Sequence, residues 1–353
     1  MNADPIIVET TRRIFQDLGD PQTINNTDNT KWRVPLWNAL VEAGLTLAWC
    51  SEESGGAGAS MADGFAIQRV VGEFATPIPL AETLLAGWLL DQARIKAPPG
   101  PMTVVPVNDR SHINLTDAGI LNGIVERVPF ARETEHLVAL SNSSDGPKIA
   151  MVQRVACGIA PGQNLAGEPR DRVSFNAVKP IHMSSPSTPF NPIRLKLMGA
   201  VMRTVQMTGA IETMLNMCIA YTQERVAFGR PIAKFQVIQH NLAVMGGEFA
   251  AALAATGAAE GAIMRDPSFG DEVVMNVASA KIRVGEAANE ASAIAHQLHG
   301  AIGFTQEHIL HRFSHRLWSW RDEYDSEANW AVLLGKAVAA RGPDEMWPNI
   351  TAA

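Results

Sequence analysis

Between Tyr221 and Gln239 the chain reads Y-T-Q-E-R-V-A-F-G-R-P-I-A-K-F-Q-V-I-Q. Arg225 supplies a permanent cation just ahead of a turn at Phe228-Gly229, where glycine admits backbone conformations closed to other residues. Pro231 suits the first position of a following helix, because its missing N–H costs nothing there. Phe235, Ile238, Leu242, Met245 and Phe249 then recur at steps of three and four, an apolar helical stripe. A cation, an aromatic ring and the amide of Gln236 gathered at a helix start suit a phosphate-linked aromatic ligand. The same residues also suit an ordinary helical hairpin with a solvated arginine. Further on, D-E-Y-D-S-E (322–327) concentrates carboxylates. These could supply a general base, or they could be solvated acids at the positive end of a helix dipole. His296, His299, His308, His311 and His315 have spacings at which zinc can be held. No HExxH, cysteine partner or ExxH pair accompanies them, and the reading favours polar or interface histidines.

Glu224 to Gln236, written E-R-x-x-F-G-x-P-I-x-x-x-Q, resembles the signature of the acyl-CoA dehydrogenases, flavoenzymes that oxidise acyl-CoA thioesters to 2-enoyl-CoA. A second stretch, A-H-Q-L-H-G-A-I-G-F-T-Q-E at 295–307, is similar to the family's Q-x-x-G-G-x-G-F-x-x-E. L-W-N-A-L-V-E-A-G-L (36–45) and S-G-G-A-G (54–58) extend the likeness, which covers most of the chain and is weakest in its middle. The resemblance implies a mainly α fold with a small β-domain: an N-terminal helical domain, a middle β-barrel and a C-terminal four-helix-type bundle. It also implies FAD as cofactor, acyl-CoA as substrate and electron-transferring flavoprotein as electron acceptor.

Losses and retained residues separate cleanly within that resemblance. The family's T-E-P-x-A-G-S-D-like segment has no match between Pro99 and Gly123. Its N-G-x-K-x-W-I-T/S segment survives only as N-G-I-V-E-R-V-P (122–129), with Arg127 where the tryptophan would be and Pro129 where the Thr/Ser would be. A flavin ring needs a flat wall and placed hydrogen-bond donors. Pro129 offers neither N–H nor hydroxyl, whereas Arg127 could still stack. Of the family's two places for the catalytic glutamate, one falls by ungapped count on Tyr324, next to Glu323. The other falls near Gly199-Ala200, where the nearest ionisable side chains are Lys196 and Arg203. In the family, the residues matching Arg225, Phe228, Gln236, Gln297 and Gly300 reach across a subunit interface to the adenine and pyrophosphate of the neighbour's FAD. Ala301 replaces the second glycine, and its methyl would crowd a phosphate.

This pattern resembles the smaller subunit of heterotetrameric (α2β2) acyl-CoA dehydrogenases, many of which act on bulky CoA thioesters such as sterol breakdown products. W-x-W-R-D-E (318–323) also looks like that group. The resemblance thus implies a subunit that completes the FAD site of a larger partner. One alternative is a self-sufficient homo-oligomer with Glu323 as base. Another is a flavin-free structural subunit.

Length and composition frame these readings. A chain of 353 residues, 46% hydrophobic and 18% charged, can bury a large core and is expected to be soluble, with two or three domains. A net charge of −7 gives no electrostatic case for nucleic acid. No signal peptide and no apolar run long enough to cross a membrane is expected. Cys50, Cys157 and Cys218 show no disulfide framework, which fits a reducing cytoplasm.

Periodicity predicts helices over 5–18, 32–48, 61–75 and 80–95, forming an N-terminal domain (1–96). The loop S-E-E-S-G-G-A-G-A-S (51–60) lacks the Lys-Ser/Thr of a phosphate cradle and reads as a connector. Beyond A-P-P-G, short β-rich runs at 103–107, 112–115, 119–130, 136–140, 148–152 and 172–178 form a small β-domain (97–188). Helical patterns at about 193–225, 231–265, 271–300, 305–320 and 324–341 then make a bundle (189–353). Met198, Met202, Met207, Met214 and Met217 read as adaptable core rather than as a pocket wall. Trp318, Trp320 and Trp330 read as packing the bundle or an interface.

Overall fold

Asp4 starts the first helix by accepting a hydrogen bond from the Ile6 N–H, with Pro5 at the first helical position. In the computed structural model, which describes residues 3–27, 29–106, 112–143, 145–342 and 344, this helix is α1 (Pro5–Leu18). It is followed by α2 (Pro21–Asn25), α3 (Arg33–Glu42), α4 (Met61–Phe74) and α5 (Leu80–Gln92). The helix expected over 32–48 is shorter because Gly44 takes a left-handed conformation (φ 71°) and only a 3-10 turn at Leu45–Leu47 follows. The glycine-rich loop is a connector: a Cβ on Gly56 would lie 2.3 Å from the Cys50 carbonyl, and Ser60 at its end forms a capping box with Asp63.

The middle strands are β1 (Met102–Val104), β2 (His112–Leu115), β3 (Leu121–Pro129), β4 (His136–Ser143), β5 (Gly146–Gln153), β6 (Gly158–Ala160), β7 (Arg170–Val178) and β8 (His182–Ser184). They make one curled sheet in the order β6-β7-β3-β2-β4-β5-β8, with β1 added in parallel to β4. The sheet closes over its own core of Leu121, Val125, Val128, Leu137, Val173 and Phe175. The end of the run expected at 103–107 lies outside the described residues.

The rest is helical: α6 (Ile193–Glu224), α7 (Gln236–Arg265), α8 (Asp271–His299), α9 (Leu310–Arg321) and α10 (Glu327–Arg341). Met198, Met202, Met207 and Met214 are all fully buried core on α6, and Trp320 and Trp330 are buried with the bundle. Two features differ from expectation. Pro231 does not open α7. The chain instead makes a two-stranded hairpin, β9 (Val226–Ala227) and β10 (Arg230–Pro231), and a 3-10 turn before Gln236. Phe228 and Gly229 are its two turn residues, both left-handed (φ 52° and 78°), as a two-residue hairpin loop requires. Secondly, α7 is by length and composition apolar enough to cross a membrane, against the expectation that no such stretch exists. Much of its surface faces outward as alanine, glycine and aliphatic side chains.

The helical cap seats on the bundle through glycines. A Cβ on Gly72 of α4 would lie 2.0 Å from the Gln206 carbonyl oxygen of α6, and one on Gly209 of α6 would lie 2.3 Å from that of Arg69. Two helices whose backbones touch in this way admit no larger residue at either crossing point. This seating brings α4, α5 and α6 together over the end of the sheet.

Candidate functional site

Where cap, sheet and bundle meet, six buried charged side chains alternate in sign. Glu82 of α5 accepts from Arg203 Nη2 of α6 at 2.6 Å. Arg203 Nε donates to Glu323 Oε2 at 2.8 Å, and Arg170 Nε of β7 donates to Glu323 Oε1 at 2.7 Å. Arg170 Nη2 donates to Glu168 Oε2 at 3.2 Å, and Arg316 Nε of α9 donates to Glu168 Oε1 at 2.9 Å. The chain Glu82–Arg203–Glu323–Arg170–Glu168–Arg316 is charge-neutral. It is also well satisfied: Arg203 Nη1 donates to Gln206 and Arg170 Nη1 to the Pro169 carbonyl. Buried charges persist only when paired in this way.

Glu323 is therefore not a solvated acid: both of its carboxylate oxygens are held by guanidinium groups. Its side chain is 10% exposed. Burial pushes the carboxyl up, but Arg170 and Arg203 pull it down further, to about 2. A carboxylate with both oxygens held by guanidinium groups and so low a proton affinity is a weak general base. Tyr324, where the ungapped count places the family glutamate, takes a left-handed backbone (φ 55°). Its ring lies on α6 at the other family position: a Cβ on Gly199 would be 2.1 Å from a Tyr324 ring carbon. Both places that the resemblance offers for a base are thus packed against each other.

The segment matched to the flavin-ring wall is similarly filled. Arg127 sits on a bulge of β3, left-handed (φ 60°) and exposed, so it provides no stacking wall. The Pro129 carbonyl accepts from the Thr103 hydroxyl at 2.6 Å, and the Phe130 ring lies under the Arg170 guanidinium at 5.5 Å. The Pro129 carbonyl and the Phe130 ring are thus already engaged within the chain.

The opposite end of the bundle is different. Arg225, Gln236, Gln297 and Gly300 are exposed, and Phe228 is 95% exposed. The ends of α6 and α8 bring Arg225 and the Gln297–Gly300 turn to one edge: the Tyr221 ring stacks on the His299 ring at 4.5 Å. Gly300 is left-handed (φ 62°, ψ −141°), and nothing lies within 4 Å of where its Cβ would be, so the turn is open above its backbone. Ala301 is exposed and its φ is not left-handed, so alanine is conformationally acceptable there. A cation, an aromatic ring, two amides and an open glycine backbone are a donor set that fits the adenosine and phosphate half of FAD. These side chains point away from the core and are exposed on the chain's surface.

The five histidines pack as rings. His296 stacks on Phe304 at 4.3 Å, His299 lies 4.7 Å from His308, and His315 lies beside Trp318 at 5.8 Å. Among the described residues no group of three or more His, Cys, Asp or Glu side chains is placed to hold a metal. Sequence reading missed Glu82, Glu168, Arg170 and Arg316. Glu82 and Arg203 did carry a signal, as charges set within apolar runs of their helices that must be paired once buried.

A helical cap, a curled sheet and a bundle carrying those two motifs at one edge form the acyl-CoA dehydrogenase scaffold. Residues 197–319 match the family described as acyl-CoA dehydrogenase, C-terminal domain. Acyl-CoA dehydrogenase IpdE2 of Mycobacterium tuberculosis is 28% identical over 285 residues, covering 80% of this chain and 79% of that protein. The solved ChsE4-ChsE5 complex from Mycobacterium tuberculosis has the same fold, with a TM-score of 0.82 at 17% identity over 96% of this chain and 97% of that one. A variant of the Tcur3481-Tcur3483 steroid ACAD gives 0.80 at 20% identity over 95% and 97%. The chain thus has the acyl-CoA dehydrogenase fold, and its bundle is similar to that family's C-terminal domain.

Proposed function

We propose that this chain is a subunit of an FAD-dependent acyl-CoA dehydrogenase that completes the FAD site of a larger partner subunit in an α2β2 assembly. The observation that carries the reading is the contrast between two sites. The base and flavin-ring positions of this chain are filled by the neutral ion chain, Phe130 and Tyr324, whereas Arg225, Phe228, Gln236, Gln297 and Gly300 are exposed at one edge. Arg225 would pair with the pyrophosphate and Phe228 would pack the adenosine. Gln236, Gln297 and the Gly300 backbone would hydrogen-bond the nucleotide half. FAD supplies the two-electron acceptor of the reaction, and the partner supplies the flavin-ring contacts and the base.

The outward apolar face of α7 supports an assembled state, because a helix of that composition is normally covered. The heteromeric ChsE4-ChsE5 complex and the steroid ACAD among the structural neighbours support a two-chain enzyme acting on a bulky, steroid-type acyl-CoA. Electron-transferring flavoprotein is the proposed electron acceptor. The three free cysteines are compatible with a cytoplasmic assembly.

The test is a visible spectrum with native mass, on the chain alone and after co-expression with a larger homologue carrying T-E-P-x-A-G-S-D. A colourless lone chain that yields a yellow α2β2 complex is expected. A yellow homo-oligomer that turns over acyl-CoA by itself would overturn the reading.

A further inference from the structure

The two segments proposed to clasp the nucleotide come from different helices, so something must set their separation. Beyond Tyr221 and Thr222, α6 runs into solvent: Gln223, Glu224 and Arg225 are exposed. Beyond His299, α8 does the same, through Gly300, Ala301 and Ile302. The ring pair at 4.5 Å and 22° therefore joins two of the last inward-facing side chains of these helices. Tyr221 stands one helical turn before Arg225. His299 stands directly before Gly300 and two residues after Gln297.

Several contacts fix that pair. The Tyr221 hydroxyl donates to the His299 carbonyl at 3.4 Å, closing one of the last carbonyls of α8. His299 is 3% exposed, and its Nδ1–H donates to the Ala295 carbonyl at 2.9 Å. A carbonyl only accepts, so the proton sits on Nδ1 and Nε2 carries the lone pair, which is buried without a partner. Cys218 Sγ lies 3.9 Å from Nδ1, and His308 packs beside the ring. The ring is thus pinned by a backbone bond, while its flat side faces Tyr221.

We propose that Tyr221 and His299 are positioning residues: their ring stack holds Arg225 and the Gln297–Gly300 turn at one spacing, as a preformed clamp for the dinucleotide of the partner subunit. This rests on the trans-site reading above. Preorganised contacts bind more tightly because their ordering cost is met in folding. Removing the stack leaves every FAD-contacting side chain in place but lets the two helix ends move independently.

The experiment compares Tyr221→Phe, Tyr221→Ala, His299→Ala and Arg225→Ala in the co-expressed complex. It measures FAD affinity from flavin released on dilution, together with native mass and thermal unfolding. Tyr221→Phe, which keeps the stack, should hold FAD within about twofold of the unaltered complex. Tyr221→Ala and His299→Ala should weaken it about tenfold or more while the assembly mass is kept. If Tyr221→Ala does not assemble, Tyr221→Leu takes its place, filling the space without stacking. Unchanged FAD affinity in the Ala or Leu variants, with Arg225→Ala losing flavin, overturns the positioning role and leaves the trans-site reading standing. Full flavin retention in Arg225→Ala overturns the trans-site reading itself.

Discussion

Arg203 donates to Glu323 at 2.8 Å, and that bond ties the first bundle helix to the segment after α9, one residue from where the ungapped count places the family's base. The same arginine reaches Glu82 in the helical cap, and the same glutamate reaches Arg170 in the sheet. One carboxylate thus joins cap, sheet and bundle. Replacing Glu323 with Gln keeps its shape but removes its charge, leaving two buried guanidinium groups under-compensated. Such a loss costs about 3–5 kcal/mol when a buried pair is broken from one side. We expect the midpoint of urea unfolding to fall accordingly, and the flavin content of the co-expressed complex to be unchanged. Abolished turnover with stability untouched would return Glu323 to the role of base.

Acid should act through the same group. The ordinary carboxyl of glutamate titrates near about 4.3, and Glu323 is lowered to about 2 in the fold. A depressed carboxylate contributes stability above its unfolded pKa and loses it as pH falls through the folded one. Glu168 is lowered in the same direction: burial raises it, and Arg316 and Arg170 outweigh that. Unfolding free energy measured across pH should therefore fall between about 4.3 and about 2 by a few kcal/mol. The Glu323→Gln protein should show a shallower slope over that window. Equal slopes would mean that the network does not carry the acid response.

Much of this was legible in the sequence, and the limits have physical causes. The 3.6-residue period located α1 and the long bundle helices, because each has one face committed to the core. The edge strands β6 and β8 escaped, since three residues are too few to display alternation. Pro231 misled because a proline at φ near −60° suits a hairpin strand as well as a first helical turn, and only the left-handed Phe228-Gly229 pair decides between them. The exposed clamp residues were read from two local motifs, the members of each lying within a dozen residues of one another. The ion chain could not be read that way, as its members run from residue 82 to residue 323 and meet only after three layers have packed.

The histidine cluster predicts a second, milder pH response near the clamp. Burial, the first cause in each case, holds His296, His299, His308, His311 and His315 below the ordinary value. For His296, His308 and His315, neighbouring histidines add to the effect. The fold thus favours neutral rings, and the unfolded chain binds more protons below the ordinary histidine pKa of about 6.5. Stability from these groups is present above that value and declines as pH falls below it. Amide exchange over residues 295–310 should quicken as pH is lowered from 7 to 5.5, after correction for intrinsic rates, while α4 stays protected. A uniform change along the chain would contradict a local cause.

Gly300 offers the sharpest separation of backbone from contact. Its φ of 62° with ψ of −141° is a conformation that essentially only glycine adopts, yet a Cβ there would meet nothing within 4 Å. Gly300→Ala therefore costs backbone strain, about 1–3 kcal/mol, and not steric overlap with its own chain. The strain can be relieved by moving the turn, which shifts the amide offered to a phosphate. Ala301→Gly is the converse change: it removes an exposed methyl and relieves no strain. In the co-expressed complex Gly300→Ala should weaken FAD retention and slightly lower thermal stability. Ala301→Gly should leave stability nearly unchanged and hold FAD at least as tightly as the unaltered chain. Weaker FAD binding in Ala301→Gly would show that the methyl is a contact surface for the partner or its nucleotide, and not an obstacle to the phosphate.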